Sequence, residues 1–302
     1  MTSVILTDGG MGQELLRRSS TPPTPLWSAR VLMDEPDLVR ELHAEFIRAG
    51  ARVITLNTYA ATPERLAREG AGDMFRSLQK RGIDLARAAR DEAGDCAIAG
   101  CLPPLFGSYA PALTISFDET LDIYRRIVAE EADHVDLFLC ETMASADEGR
   151  AAATAAAESG KPVWVSWTLS DDGPEARLRS GETLAAASAA LGSLDIAARL
   201  VNCSRPETVD AAIDALKALG GTIGAYANGF TEVGALKHGG TVEVLHARHD
   251  LDPEAYARFA LGWVEAGLDI VGGCCEVGPS HIAALRDRLT EAGHSLSGVT
   301  HA

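Results

Sequence analysis

The sequence is poor in cysteine, in positive charge and in long apolar runs, and each shortage excludes something. Six cysteines in 302 residues are too few for a disulfide-built scaffold. Reduced thiols in a cytoplasmic chain are therefore expected, and there a cysteine cluster serves metal binding or catalysis. Only 27 basic side chains stand against 43 acidic ones, a net charge of −16. Such a chain repels phosphate backbones and anionic lipid, so neither nucleic acid nor a membrane surface is an expected partner. The apolar runs are strand-sized and interrupted, so no membrane span is predicted. The opening "MTSVILTDGG" lacks a basic segment and a long apolar core, and does not read as a secretory leader. No Pro/Gly/Ser-rich linker divides the chain, and a single domain over residues 1–302 is expected.

What is present is a regular alternation in a chain that is 46% hydrophobic. Eight short β-rich runs are predicted as strands: 4–7, 52–57, 96–101, 136–141, 162–169, 197–203, 221–228 and 268–273. Amphipathic helical patterns lie between them. In 35–50, Leu38, Leu42, Phe46 and Ile47 share a face; 116–132 and 252–267 behave alike. Gly50, Gly160, Gly220 and Gly267 follow helix ends, as left-handed C-caps do. Eight strand–helix units in this length predict an α/β fold, a (β/α)8 TIM barrel. The alternative is an open doubly wound sheet. That usually wants G-x-G-x-x-G after the first strand, and "DGGMGQE" (8–14) does not match it. A stiff loop, 19–27, and a long one, 229–251, are candidate lids or binding loops.

In such a barrel chemistry sits at the carboxyl ends of the strands. Those ends supply Asp8, Asn57 to Tyr59, Cys140 to Thr142, Asn202 and Cys203, Ala227 and Asn228, and "GGCC" at 272–275. Cys203, Cys274 and Cys275 form the sharpest constellation. Soft thiolates select Zn²⁺, and three protein ligands leave a fourth position open. Adjacent residues of a regular strand face opposite ways, so Gly272 and Gly273 are expected to supply a turn. Buried filler is the bland alternative for any of the three. A strained Cys274–Cys275 disulfide is a further one that a reducing compartment disfavours. Cys96, Cys101 and Cys140 read as core.

Asp8 and Glu141 suit either helix capping or the binding of a substrate ammonium group. Tyr59 suits shielding or packing, and Asn228 suits a polar substrate contact or a turn. His43 reads as structural, and His281 as the start of the last helix. His238, His246 and His249 in the long loop have no metal-ligand spacing.

The segments "LTDGGMGQEL", "PLWSARVL", "HAEFIRAGARVITLNTYAATPERL", "CETM", "NCSRPE" and "GGCCEVGPSHI" together resemble the homocysteine S-methyltransferases, the pterin-independent group. The resemblance runs from residue 6 to about residue 290. It implies zinc held by Cys203, Cys274 and Cys275. It also implies homocysteine held at its amino acid end by Asp8, Gly9 and Glu141, with Tyr59 close to the metal. The reaction it implies moves a methyl group from a small onium donor to the homocysteine thiol, forming methionine. S-methylmethionine or S-adenosylmethionine is the expected donor, and a betaine or dimethylsulfonio compound the alternative. Trp27, Trp167 and Glu276 are candidates for facing the donor's positive charge. Glu276 departs from the family, which often has a basic or small polar residue after the cysteine pair. A zinc hydrolase and a non-catalytic zinc site are the rival readings. A monomer or small homo-oligomer is expected.

Overall fold

The computed structural model describes residues 2–111, 115–173, 175–236 and 244–299. In chain order, β1 (Ser3–Leu6) is followed by α1 (Met11–Arg18), α2 (Ser28–Asp34) and α3 (Pro36–Ala49). After β2 (Val53–Thr55) come α4 (Pro63–Arg68) and α5 (Phe75–Ala93). Next are β3 (Ala97–Leu102) with α6 (Phe117–Glu131) and β4 (Leu137–Met143) with α7 (Ala146–Ala157). Then come β5 (Val163–Trp167) with α8 (Leu184–Ala190) and β6 (Ala198–Asn202) with α9 (Pro206–Leu219). Last are β7 (Ile223–Tyr226) with α10 (Pro253–Glu265), β8 (Ile270–Val271) with α11 (Pro279–Glu291), and β9 (Ser295–Leu296). All eight expected strands are present, most of them shorter than the apolar runs that announced them.

The strands pair in parallel in the order β2-β3-β4-β5-β6-β7-β8-β1. The ring closes between β1 and β2. Thr7 bridges to Val53, the Arg52 N–H donates to the Leu6 carbonyl at 2.7 Å, and the Asp8 N–H donates to the Val53 carbonyl at 2.9 Å. The expected (β/α)8 barrel is therefore what forms. The short β9 adds to the first residues of β1, at the end of the barrel away from the site. Among the described residues no helix is long and apolar enough to cross a membrane.

Strand alternation sorts the core into two layers. Val53, Ala99, Leu137, Leu139, Trp164, Leu200 and Ile270 pack inside the barrel. Phe138, Cys140, Val165 and Trp167 point the other way, into the layer between strands and helices. Several helices begin on proline, whose fixed φ and missing N–H suit the first turn: Pro36, Pro63, Pro206, Pro253 and Pro279. A capping box of Ser116 and Glu119 starts α6. Gly50, Gly160, Gly220 and Gly267 all adopt positive φ after helices.

One buried carboxyl ties helix to barrel. Glu131, at the end of α6, has no exposure. Its Oε2 accepts the Cys101 N–H at 2.9 Å, and its Oε1 meets the Thr58 hydroxyl at 2.9 Å. Burial pushes its pKa from an ordinary 4.5 up to about 8. The folded protein therefore holds a proton that the unfolded chain releases above about pH 4.5. This group's contribution to stability then falls as pH rises from about 4.5 to about 8, and is level beyond. Glu131→Gln keeps both hydrogen bonds without a proton to lose. Its stability relative to the parent should rise across that window, by up to about 1.4 kcal/mol per pH unit, as read by urea unfolding at several pH values. An equal offset at every pH would refute this.

Candidate metal centre

The ladder of β8 stops at Val271, so neither cysteine that follows lies in a strand. The Gly273 N–H donates to the Asp8 carbonyl and the Cys274 N–H to the Ala227 carbonyl, both at 2.9 Å. A tight turn then closes from the Val277 N–H to the Cys274 carbonyl at 3.1 Å. Its left-handed residue is Glu276, at φ 66°. The sequence assigns that turn to Gly272 and Gly273, and this is a correction: neither has positive φ. They are glycines because other chain segments press on them. A Cβ on Gly272 would collide with the Thr7 hydroxyl, and one on Gly273 with the Val277 side chain. The β1 loop reciprocates. A Cβ on Gly9 would strike the Val277 carbonyl, and one on Gly10 would lie 2.5 Å from the Cys274 carbonyl. "DGG" and "GGCC" are thus two halves of one backbone-on-backbone contact.

Cys203 follows β6 directly, with φ 49°. Beside it, fully buried Asn202 is a hub that sequence reasoning left unassigned. Its Oδ1 accepts from the Thr142 N–H at 2.9 Å and from the Ser166 hydroxyl at 2.8 Å. Its Nδ2 donates to the Thr142 hydroxyl at 2.8 Å and toward the Cys274 Sγ at 3.9 Å. Strands β4, β5 and β6 and the β8 loop are thereby held in register around the sulfurs. Non-glycine residues with positive φ gather here: Trp27, Tyr109, Thr142, Cys203 and Glu276. Such conformations cost about 1–3 kcal/mol each and concentrate where function demands them.

The Sγ atoms of Cys203, Cys274 and Cys275 lie within 4.8 Å of one another, the one such metal-capable group among the described residues. Two sulfurs on one zinc, at about 2.3 Å each, can be at most about 4.6 Å apart. Seating all three on one ion takes a rearrangement, chiefly the parting of Cys203 from Cys274. Cys203 and Cys274 are joined here as a disulfide, Cα to Cα 5.7 Å, and Cys275 is free. This departs from the expected free thiols, and the pair is not the adjacent one. Two thiols brought so close join each other when oxidised, or share an ion when reduced.

The carboxylates sit beside them. Asp8 is 5% exposed and accepts the Thr55 N–H at 2.8 Å. Burial first, and the nearby Glu141 charge after it, hold its pKa well above the usual carboxylate range. Glu141 follows Leu137 and Leu139 on the inward face of β4; burial pushes it up to about 7. Its Oε1 accepts from the Cys101 thiol at 3.1 Å, giving a residue read as core a part in the site. Tyr226 on β7 is 5% exposed, and burial and the Glu141 charge raise its pKa. It was not singled out by sequence, although its parity with inward Gly224 could have found it.

Asp8, Gly9, Tyr59, Glu141, Cys203, Cys274 and Cys275 all line one cavity of about 240 Å³, as does Tyr226. The Tyr59 hydroxyl pairs with that of Ser108 at 2.8 Å, and its ring meets Trp27 edge to face at 5.7 Å. Phe230, Val233, Leu236 and Leu245, from the described parts of the long 229–251 loop, also line the cavity. His238 in that loop falls outside the described residues.

Some expected site residues are elsewhere. Asn228 is fully buried and outside the lining; its Oδ1 accepts the Phe230 N–H at 3.1 Å, shaping the start of the loop. Trp167 has no exposure and packs against α7, where a Cβ on Gly149 would lie 2.9 Å from its Nε1. Glu276 does not line the cavity either: Gln13 donates to it at 2.9 Å and Arg17 at 2.6 Å. Its charge is spent on α1. His43 is fully buried, and burial lowers its pKa to about 4. His281 sits in the first turn of α11, accepting the Gly278 N–H at 3.2 Å.

A closed (β/α)8 barrel with three cysteine sulfurs and two carboxyls at its mouth defines a class of barrel with a thiol-based centre. Comparison with characterised proteins makes this particular. The sequence profile of the homocysteine S-methyltransferases matches residues 5–289. The chain is 30% identical to the homocysteine S-methyltransferase of Escherichia coli, over 94% of this chain and 95% of that one. It is 28% identical to a selenocysteine methyltransferase from Astragalus bisulcatus, over 95% of this chain and 92% of that one. The homocysteine methyltransferase MmuM from E. coli has been solved in a metallated form, with TM-score 0.78, 30% identity, and 95% and 96% coverage of the two chains. An oxidised form gives 0.79 and 29%, with 94% and 96% coverage. The chain belongs to the homocysteine S-methyltransferase family.

Proposed function

We propose that this protein transfers a methyl group from a small onium donor to the thiol of homocysteine, using zinc held by Cys203, Cys274 and Cys275. The observation that carries the reading is the gathering of these three sulfurs within 4.8 Å on the wall of a cavity that also holds Asp8 and Glu141. When bound, zinc supplies the positive charge that keeps an acceptor thiol as its nucleophilic thiolate at neutral pH.

The chain's own residues do the rest. Asp8, buried, and Glu141, half-buried, both lacking a cationic partner among the described residues, receive the acceptor's ammonium group. Its arrival favours their ionised forms. Trp27, Tyr59 and Tyr109 wall the cavity with aromatic faces that suit an onium and exclude water. Held in line, the acceptor sulfur forms a bond to the donor's methyl carbon. The donor's carbon–heteroatom bond breaks, and its electron pair stays on the donor. Alignment and dryness, rather than proton transfer, are the protein's contribution. S-methylmethionine or S-adenosylmethionine is the donor we favour.

The test is methionine formation from homocysteine by reduced, zinc-loaded protein, run beside Glu141→Gln. The variant should bind zinc as the parent does and lose about 100-fold in kcat/KM, mostly through KM for homocysteine. Methyl transfer that proceeds equally well in metal-free protein would refute the reading.

A further inference from the structure

The cavity contains a buried positive charge that the transfer chemistry does not use. Arg65, on α4, is 8% exposed and lines the cavity. One of its terminal nitrogens donates to the Pro104 carbonyl at 2.8 Å, and its guanidinium lies over the Tyr59 ring, 5.1 Å from the centroid. Its Nε is buried with no hydrogen-bond partner, and Arg65 makes no ion pair among the described residues. Arg179, also on the lining, differs: it is paired with Asp171 at 3.0 Å.

An uncompensated buried guanidinium is costly. It is costlier still in a cavity meant to receive a methyl-onium cation, because like charges repel. Both difficulties vanish if the ligand itself brings a carboxylate. Asp8 and Glu141 suit the acceptor's ammonium group, and Arg65 is ion-paired to neither; the acceptor's own carboxylate is the competing occupant, which the KM for homocysteine separates below. Tyr59, whose ring the Arg65 guanidinium covers, lines the same cavity as Glu141.

Resting on the methyl-transfer reading above, we propose that Arg65 binds the carboxylate of the methyl donor and selects zwitterionic oniums over oniums without a carboxylate. Arg65 also clamps the loop after β3, since Thr62 of the same helix start donates to the Leu105 carbonyl at 3.1 Å. The test therefore has to separate selection from scaffolding.

Arg65→Gln and Arg65→Lys are compared with the parent using S-methylmethionine and its carboxamide, which keeps the sulfonium and loses the carboxylate. For the parent, S-methylmethionine should be preferred by on the order of 100-fold in kcat/KM. Arg65→Gln should lose that preference by losing activity on S-methylmethionine alone, with KM for homocysteine unchanged; Arg65→Lys should recover part of it. Binding of each donor to zinc-loaded protein, measured by calorimetric titration, should show the same preference and the same loss. Equal losses on both donors would assign Arg65 to scaffolding, and a raised KM for homocysteine would assign it to the acceptor; either overturns the proposal. If no methyl is transferred but S-methylmethionine still binds in an Arg65-dependent way, the proposed function falls while the selection of zwitterionic oniums by Arg65 stands. Absence of that binding overturns the inference.

Discussion

Cys275→Ala should leave a folded barrel that retains little zinc and transfers methyl groups at least about 1,000-fold more slowly than the parent. The magnitude follows from the donor set. Three sulfurs within 4.8 Å form the one metal-capable group among the described residues, so losing one leaves two. An outer partner alone is worth about 10–100-fold in metal affinity, and a direct ligand more. Folding should survive, because the barrel layers are built from other residues and Cys275 belongs to a small cluster under the long loop. The measurements are zinc per chain by elemental analysis, methionine formation, and circular dichroism as the folding control. Near-stoichiometric zinc in the variant would show that Cys275 is not a ligand. The Cys203–Cys274 disulfide supplies a companion control. A bonded pair has no thiolates to give, so zinc uptake should require prior reduction.

Gly9→Ala is expected to damage the same centre from the opposite side. Gly9 donates no side chain to the chemistry, yet its α-carbon lies so close to the Val277 carbonyl and the Phe46 ring that a methyl group has no room. The obstructing atom is backbone, and it belongs to the turn that presents Cys274 and Cys275. That turn must move or the β1 loop must. Overpacking of this kind costs typically about 1–3 kcal/mol, and here it also displaces two sulfurs. A fall of several degrees in thermal midpoint together with a large loss of zinc affinity is expected. By contrast, Gly94→Ala meets no neighbouring atom and carries only the strain of its left-handed backbone, φ 132°; it should destabilise while leaving zinc affinity alone. If Gly9→Ala binds zinc as tightly as the parent, the contact between the two glycine pairs is not what aims the cysteines.

Much of this centre was legible in the sequence because barrel chemistry is confined to strand ends. Asp8, Tyr59, Glu141, Cys203, Cys274 and Cys275 were found by reading only those ends, and all line the cavity. Where that reading failed, parity is the usual reason. Trp167 was attractive as an aromatic near a strand end, but inward Trp164 on the same strand puts position 167 on the outer face. Tyr226 has the inward parity and was overlooked. Cys101 and Asn202 have ordinary core character until their partners on other segments, Glu141 and Cys274, are known. Asn228 shows a third kind of miss: its amide serves its own backbone two residues on, a local use that residue type alone does not separate from ligand binding.

By itself the sequence determined the eight barrel strands and their order, the family, and the strand ends whose residues line the cavity. These follow from local periodicity, from proline and glycine at helix ends, and from cysteine spacing. Tertiary structure alone decided how those groups are used. It showed Glu276 as the left-handed turn residue neutralised by Arg17, rather than a charge facing the donor. It showed Gly272 and Gly273 as points of close approach rather than turns, and it isolated Arg65 as a buried cation without an acidic partner among the described residues. Each of these depends on contacts between segments far apart in the chain. Those contacts exist only once eight strands have closed on one another, and no local pattern encodes them.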